Sequence, residues 1–334
     1  MHVPRDVVAR IQRGLASAPA APGDPALRLL SWNIDGIDDS GPRDTMLRAL
    51  AVAEHVAAAQ PAAVLLQEVI PPQLELFAAR QTLGSQYDIV CADSPKLPYY
   101  CAILLHKAKA KMIAPPRTRH FATSKMGRHL LSVDVVIGGR TDAPLTLMTT
   151  HLESMKQERT ERVKQFTEVL QVMVESSVSA FPPRTAVLAG DLNIRDDEVL
   201  AARKKARVLS AGSIDGIVDA WSMCGSPKAH EFTWDTTANT NLGVTYASRC
   251  RFDRCLFITP GLTGSKGTAA AARWSASNFE LVGRNKVQGL GRYPSDHWAV
   301  QVGFGVGGDA PTSSAGSAAS ASVGADQAGA ASLA

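Results

Sequence analysis

The chain is poor in cysteine and has no long apolar run. Five cysteines in 334 residues, odd in number and widely spaced, do not make a disulfide framework. Cys250 and Cys255 are the closest pair, and their odd spacing puts them on opposite faces of any strand holding both. No CxxC and no Cys/His cluster offers a zinc site. A reducing, intracellular compartment is the simpler reading, the nucleus for a eukaryotic chain and the cytoplasm for a bacterial one. No stretch approaches the roughly 18–20 uncharged apolar residues of a spanning helix, so an integral membrane protein is excluded.

One end also lacks positive charge. Residues 305–334 hold Asp309 and Asp326 but no Lys or Arg, and are Gly, Ala and Ser almost throughout. That composition cannot bury enough apolar surface to offset its ordering entropy, and it reads as a disordered tail. The net charge of +4 therefore hides a larger basic excess over the rest, which suits a polyanionic substrate without demanding one. Residues 1–26 carry Arg5, Arg10 and Arg13 on a short apolar pattern, then SAPAAPGDP. They read as a flexible leader, with a transit-like presequence as the alternative.

Between these ends, residues 27–304 alternate between two periods. Leu27–Ile34, Ala62–Val69, Tyr87–Ala92, Tyr99–His106, His129–Ile137, Leu145–Leu152, Thr185–Leu192, Arg251–Thr259 and His297–Phe304 read as strands. Arg43–Gln60, Glu158–Glu175 and 196–207 read as helices; Val163, Phe166, Leu170 and Met173 step by three and four. Many strand runs are apolar on both faces, so the sheets are covered by helices rather than solvated. The expected fold class is α/β, two packed sheets flanked by helices.

What the chain does have is chemistry at the carboxyl ends of those runs, or just past them. The clusters are Asn33 and Asp35 in SWNIDG, Glu68 in LLQEV, His151, Glu153 and Ser154 in TTHLES, Asp191 and Asn193 in AGDLN, and Asp296 with His297 in SDHW. Taken singly, each is an ordinary turn former, helix cap or solvated acid. Together they complement one another as one hard-cation site, one base and two imidazoles. Such a set suits phosphodiester hydrolysis. Mg²⁺ needs one or two carboxylates and leaves its other positions to water and phosphate oxygens, so Glu68 with Asp35 or Asp296 nearby is sufficient. Asp191 would orient and deprotonate the attacking water, with Asn33 and Asn193 fixing its position. A protonated His297 would donate to a non-bridging oxygen. Asp253 in RCRFDR is a candidate to orient that imidazole; the alternative is a structural salt bridge to Arg251 or Arg254. The basic ARKKAR segment, Ala202–Arg207, reads as a solvated helix face, with a strip contacting DNA phosphates as the other reading.

The order WN, QE, H at a strand end, GDxN, RxDR and a terminal SDH resembles the endonuclease/exonuclease/phosphatase superfamily. The longer strings LQEVIPP, SKMGRHLLSV and FTWDTTANTNLG are similar to its type-2 tyrosyl-DNA phosphodiesterase branch. The resemblance spans about Leu27 to Phe304. It implies a four-layered α/β sandwich, two mixed sheets between helices. It implies a hydrolase dependent on Mg²⁺, with Mn²⁺ as a substitute. The substrate would be DNA carrying a tyrosine-linked protein or peptide on its 5′ phosphate, cleaved by a monomer in DNA repair. Carried over by motif, Glu68 is the metal ligand, with Asp35 and Asp296 supporting the ion through water, and Asp191 activates the water. Asn33, Asn193, His151, Ser154 and His297 hold the scissile phosphate, and Asp253 partners His297. Arg128 and Trp234 resemble a cation–π pair beside the departing tyrosine. Leu242 resembles an apolar wall against the terminal base, and Arg195 and Tyr99 line the groove. GDLN stands where GDTN is usual, changing a neighbour of the base but no expected ligand. Two rivals stay open: the same machinery acting on abasic DNA, RNA or a phospholipid, and a catalytically silent nucleic-acid-binding module.

Overall fold

The computed structural model describes residues 5–16, 26–92, 98–178, 180, 183–210, 213–260 and 273–307. Two mixed sheets face each other. The first runs β14 (Trp274–Val282), β15 (Ala299–Val306), β1 (Leu27–Asn33), β2 (Ala63–Val69), β4 (Tyr100–His106), β3 (Tyr87–Cys91). The second runs β10 (Val218–Asp219), β13 (Asp253–Ile258), β9 (Thr185–Asp191), β8 (Leu145–Thr150), β7 (His129–Ile137), β5 (Ala110–Met112), and β6 (Arg117–His120) also pairs with β7. A small third sheet pairs β11 (Trp234–Asp235) with β12 (Arg249–Cys250). The helices are α1 (Arg5–Ala16), α2 (Pro42–Ala59), α3 (Pro71–Ala78), α4 (Arg159–Val178), α5 (Asp196–Leu209) and the short α6 (Ala220–Met223).

Strand periodicity explains the layering. Successive side chains of a strand point to opposite faces, and in β1 both faces are buried. Leu27 and Leu29 enter the core between the sheets with Leu65, Ile103, Val133, Leu147, Val187 and Phe304. Leu30 and Trp32 turn outward against Ala53, Val56 and Phe77 of α2 and α3. On the far side, Met148, Leu188 and Ile258 pack under Phe166, Leu170 and Met173 of α4 and Ala202 of α5. The result is the helix–sheet–sheet–helix sandwich that the apolar runs imply.

Two sequence expectations are corrected. Residues 5–16 of the expected flexible leader form α1, with Val7, Ile11 and Leu15 buried against α2. Gly14 packs so closely on Ala57 that a Cβ there would lie 2.9 Å from its carbonyl carbon. Gln60 donates to the carbonyls of Gly14 and Leu15, capping the C-terminal end of α1. Val7, Ile11 and Leu15 recur at four-residue steps among the arginines and make one helix face. The last strand also runs to Val306, past the expected start of the tail; residues 308–334 lie outside the described residues.

The topology gathers the polar clusters at one edge. β1 and β2 are parallel, as are β8 and β9, so all four carboxyl ends point one way. β15 is antiparallel to β1 and β13 to β9, which brings their amino ends, with His297 and Asp253, to the same edge. Asp253 and Asp191 are direct cross-strand neighbours.

Candidate active site

Close backbone approach shapes the strand ends that carry the site. A Cβ on Gly190 would fall 2.2 Å from the Thr150 carbonyl oxygen, so only glycine lets β9 present Asp191 beside the end of β8. Gly36 does the same for β1, passing the Glu68 carbonyl, to which its amide donates at 3.1 Å. Asp35, Glu68 and Asn193 have φ of 50°, 57° and 49°, left-handed conformations that cost non-glycine residues free energy and cluster at functional sites. Glu68 also sits where the β2–β4 register shifts. A bulge re-aims a side chain, and here it turns Glu68 from the sheet toward Asn33.

Asn33 is the bridge between the two sheets. Its Nδ2 donates to Glu68 Oε1 and to Asp191 Oδ2, both at 3.0 Å. Asp191 Oδ2 also lies 3.3 Å from His151 Nε2 and 3.7 Å from His297 Nε2, and its Oδ1 accepts the Asn193 amide at 2.9 Å. Burial works against the Asp191 anion, but His297, His151 and Asn33 outweigh it and hold the carboxyl below its usual range.

The two imidazoles are in opposite states. His151 Nδ1 lies 2.8 Å from Arg128 Nη1. Because a guanidinium has only donors, Nδ1 must accept and Nε2 carries the proton toward Asp191. Burial and Arg128 keep His151 well below its usual pKa, as the neutral ring. His297 Nδ1 lies 2.7 Å from Asp253 Oδ2. Burial disfavours its charged form, yet Asp253, Asp296 and Asp191 outweigh it and hold the imidazole well above its usual pKa. Burial, with help from Asp191, also pushes the Asp253 carboxyl up. The pair holds one proton, and the ring carries it, because three carboxylates face the imidazole while a single imidazolium faces Asp253. Arg254 pairs with Asp196 and Arg251 with Asp219, so the salt-bridge alternative for Asp253 is not what forms. Thr233 Oγ1 accepts the Asp253 amide, and Ser295 Oγ donates to the Asn33 carbonyl while accepting the His297 amide. These bonds lock the SDH turn onto β1.

Glu68, Asp35 and Asp296 make an acidic corner. Burial first and Asp296 second push the Glu68 carboxyl up to about 7 and that of Asp35 up to about 8. The corner is short of positive charge, as a site for a hard divalent cation is before the ion binds, and the residues fit such an ion. Asp191, Asp253 and His297 also bring ligand atoms within 4.8 Å of one another, but that cluster is already bound together by the charged imidazole. One cation near the corner comes from the protein. Arg48 of α2 is wholly buried and reaches Asp35 Oδ2 at 2.9 Å and Asp38 Oδ2 at 3.1 Å. It also donates to the carbonyl of Pro294, tying the turn that carries Asp296 to α2. Sequence reading missed Arg48, because a lone arginine inside a helical repeat carries no local signal of burial.

The expected Arg128–Trp234 pair does not form. Arg128 lies over the Tyr99 ring, 5.4 Å from its centroid, and donates to Ser154 Oγ at 3.0 Å. Trp234 instead tilts against Phe252 and donates from Nε1 to Asp296 Oδ2 at 3.3 Å. The reason is reach: Arg128 enters from the loop beside β7, where His151 and Ser154 occupy its guanidinium, and Trp234 enters from β11 beside the SDH turn. Beside Arg128, with Glu68, Tyr99, Cys101 and His151, lies a crevice of about 10 Å³. Asn193 Nδ2 donates to Ser154 Oγ at 3.2 Å. Arg195 is exposed over the Phe252 ring, and Leu242 is half-buried in the loop joining β11 to β12.

A second overlooked residue is Glu153, noted in its motif but given no task. Its side chain accepts from Ser124 Oγ, the amides of Lys125 and Met126, and Gln165 Nε2. Ser124 Oγ in turn accepts the Arg128 amide. Glu153 thus holds the loop that delivers Arg128.

Comparison with known proteins agrees with this geometry. The profile described as Endonuclease/Exonuclease/phosphatase family matches residues 30–297. Tyrosyl-DNA phosphodiesterase 2 of Homo sapiens is 36% identical over 276 residues, 81% of this chain and 66% of that protein; the chain thus spans just under two thirds of that relative. The crystal structure of D. rerio TDP2 complexed with single strand DNA product superposes with a TM-score of 0.69 at 32% identity, covering 83% of this chain and 98% of that one. TDP2 from C. elegans gives 0.68 at 31% identity, over 85% of this chain and 76% of that one. Matched by that profile over most of its length, this chain belongs to the endonuclease/exonuclease/phosphatase family.

Proposed function

We propose that this protein is a Mg²⁺-dependent phosphodiesterase that hydrolyses the bond between a protein tyrosine and the 5′ phosphate of DNA, leaving a 5′ phosphate. One observation carries the reading: Asp191 Oδ2 and His297 Nε2 face each other at 3.7 Å, the carboxyl held below and the imidazole above its usual pKa, with the acidic corner beside them. A base and a hydrogen-bond donor side by side suit attack on one phosphate, which supports the reading. Likeness to tyrosyl-DNA phosphodiesterase 2 and to a relative crystallised with a single-stranded DNA product supports the choice of substrate.

In this reading Glu68 is the direct metal ligand, with Asp35 and Asp296 in support. The ion supplies charge neutralisation at the phosphate and the departing oxygen. Asp191 holds the attacking water, kept in place by Asn33 and Asn193, and takes its proton. His297 donates from Nε2 to a non-bridging oxygen, its ring held by Asp253. Neutral His151 donates from Nε2, and Ser154 adds a hydroxyl. Arg128, stacked on Tyr99, lies beside the departing tyrosine, while Trp234 holds Asp296 in position. Arg195, Phe252 and Leu242 line the strand's path. No described helix is long and apolar enough to cross a membrane. We take the enzyme to work inside the cell as a monomer in DNA repair.

A 5′-tyrosyl oligonucleotide should be cleaved with Mg²⁺ and left intact with EDTA, while abasic duplex, poly(A) and sphingomyelin are turned over far more slowly. Preference for any of those three would assign the same machinery to another phosphodiester. No turnover of any substrate would leave a binding module. Glu68→Gln should lower turnover by at least about 10²-fold at saturating Mg²⁺ with the fold retained. Near-wild-type turnover would remove Glu68 from the metal.

A further inference from the structure

We propose that the groove between β6, α4 and α5 is a docking site for an acidic, amphipathic segment of a protein partner. It covers the outer face of the second sheet, shares no residue with the candidate active site, and does not rest on the catalytic reading. The groove is shallow and open to solvent, with room of about 660 Å³, a shape that suits a segment laid along the surface. Arg119, Lys164 and Lys205 line it, with Glu168 as the one acid. Val208 and Leu209, at the end of α5, complete it and are 80% and 64% exposed.

The composition decides what fits. α5 turns Ala202 and Ala206 of the ARKKAR segment toward the core, so its lysines face out as a solvated helix would have them. A solvated face does not explain two large aliphatic side chains left in water beside three cations. Glu168 is shared with Arg119 at 3.4 Å, Lys164 donates to Thr123 Oγ1 at 2.7 Å, and Lys205 has no carboxylate partner among the described residues. The lining carries a net positive charge, with the two aliphatic side chains at one end. Nucleic acid would use the cations, but it gains little from Val208 and Leu209, and the groove lining includes no aromatic ring on which bases could stack. A peptide with leucine-like residues on one face and carboxylates on the other uses both: charge steers it and apolar contact holds it.

The test uses the full chain and a fluorescein-labelled helical peptide of about 15 residues, leucines on one face and glutamates on the other. Fluorescence anisotropy should show saturable binding. A peptide of equal charge with serines for the leucines should bind at least about tenfold more weakly, a difference of about 1.4 kcal/mol. Val208→Ser/Leu209→Ser and, separately, Lys205→Glu should each weaken the leucine peptide by a similar factor. Melting curves of both variants should match the parent's, showing that both remain folded. Equal binding of the two peptides, or no saturable binding, overturns the proposal. If Lys205→Glu weakens an oligonucleotide duplex while peptide binding is unchanged, the strip contacts DNA phosphates and the proposal is likewise overturned.

Discussion

At the scale of single residues, the site holds two histidines in different charge states, one neutral and one cationic. His151 is neutral because burial and Arg128 both oppose its proton. His297, equally buried, is charged because Asp253, Asp296 and Asp191 outweigh the cost. In the proposed reaction His297 and Asp253 act as a unit. His297→Ala should therefore lower kcat by at least about 10²-fold. Asp253→Asn should cost less, and adding it to His297→Ala should change little, since effects within a unit are not additive. Steady-state kinetics of both single variants and the double variant check this, and full additivity would show that the 2.7 Å contact has no part in turnover. The identities of these groups were legible in the sequence. A protonated His297 was also expected from the sequence, beside its chain neighbour Asp296, but the neutral state of His151 was not, because it depends on Arg128 brought from the loop before β7.

At the scale of elements, the long helices match their expected bounds, while α3, the nine-residue β14 and the shortest strands were missed. α2 and α4 begin and end near their expected bounds, because two or more turns of apolar stripe leave little ambiguity. β5, β6, β11 and β12, of two to four residues each, hold too few side chains to show a period. α1 was present in the pattern but overshadowed by its arginines. Its buried face makes a firm prediction. Ile11 is fully buried, so Ile11→Ala should cost about 2–5 kcal/mol and lower the melting temperature by several degrees. Unchanged melting would restore the flexible leader.

β7 offers a second prediction of this kind. Asp134, in its middle, pairs with Arg117 of β6 and with Arg184 just before β9. Burial raises its carboxyl, but the bonds from Arg117 and Thr146 and the charge of Arg184 outweigh this and hold it below the usual range. A depressed carboxylate stabilises the fold above its unfolded pKa of about 3.9, and that contribution is lost as pH falls through the folded value. Asp134→Asn should therefore melt earlier than the parent at pH 7, by an amount near about 1–2 kcal/mol, since Arg117 is half exposed and partly screened. The gap should begin to narrow below the unfolded value of about 3.9 and close once the pH has fallen below the folded value of Asp134. A gap that persists there would mean that packing, not charge, is what the substitution removes.

At the scale of the whole molecule, the proposed reaction depends on one edge where two sheets end together. Removing divalent metal should abolish cleavage while the sandwich stays folded, because its three apolar clusters do not involve the acidic corner. Circular dichroism with and without EDTA, beside the activity assay, tests that separation; loss of the fold would make the ion structural. The layers and the chemical inventory were legible from local patterning alone. A strand apolar on both faces must be covered on both, and a carboxylate, amide or imidazole at its end is visible without knowing its neighbours. Only the tertiary structure decided the partnerships: Arg48 with Asp35, Arg128 with Tyr99, Trp234 with Asp296, and the indole of Trp32 with the carbonyl of His297, 265 residues away. Periodicity reports which way a side chain points within its own element. Which side chain it meets depends on how strands distant in the chain are ordered and registered, and no local pattern carries that information.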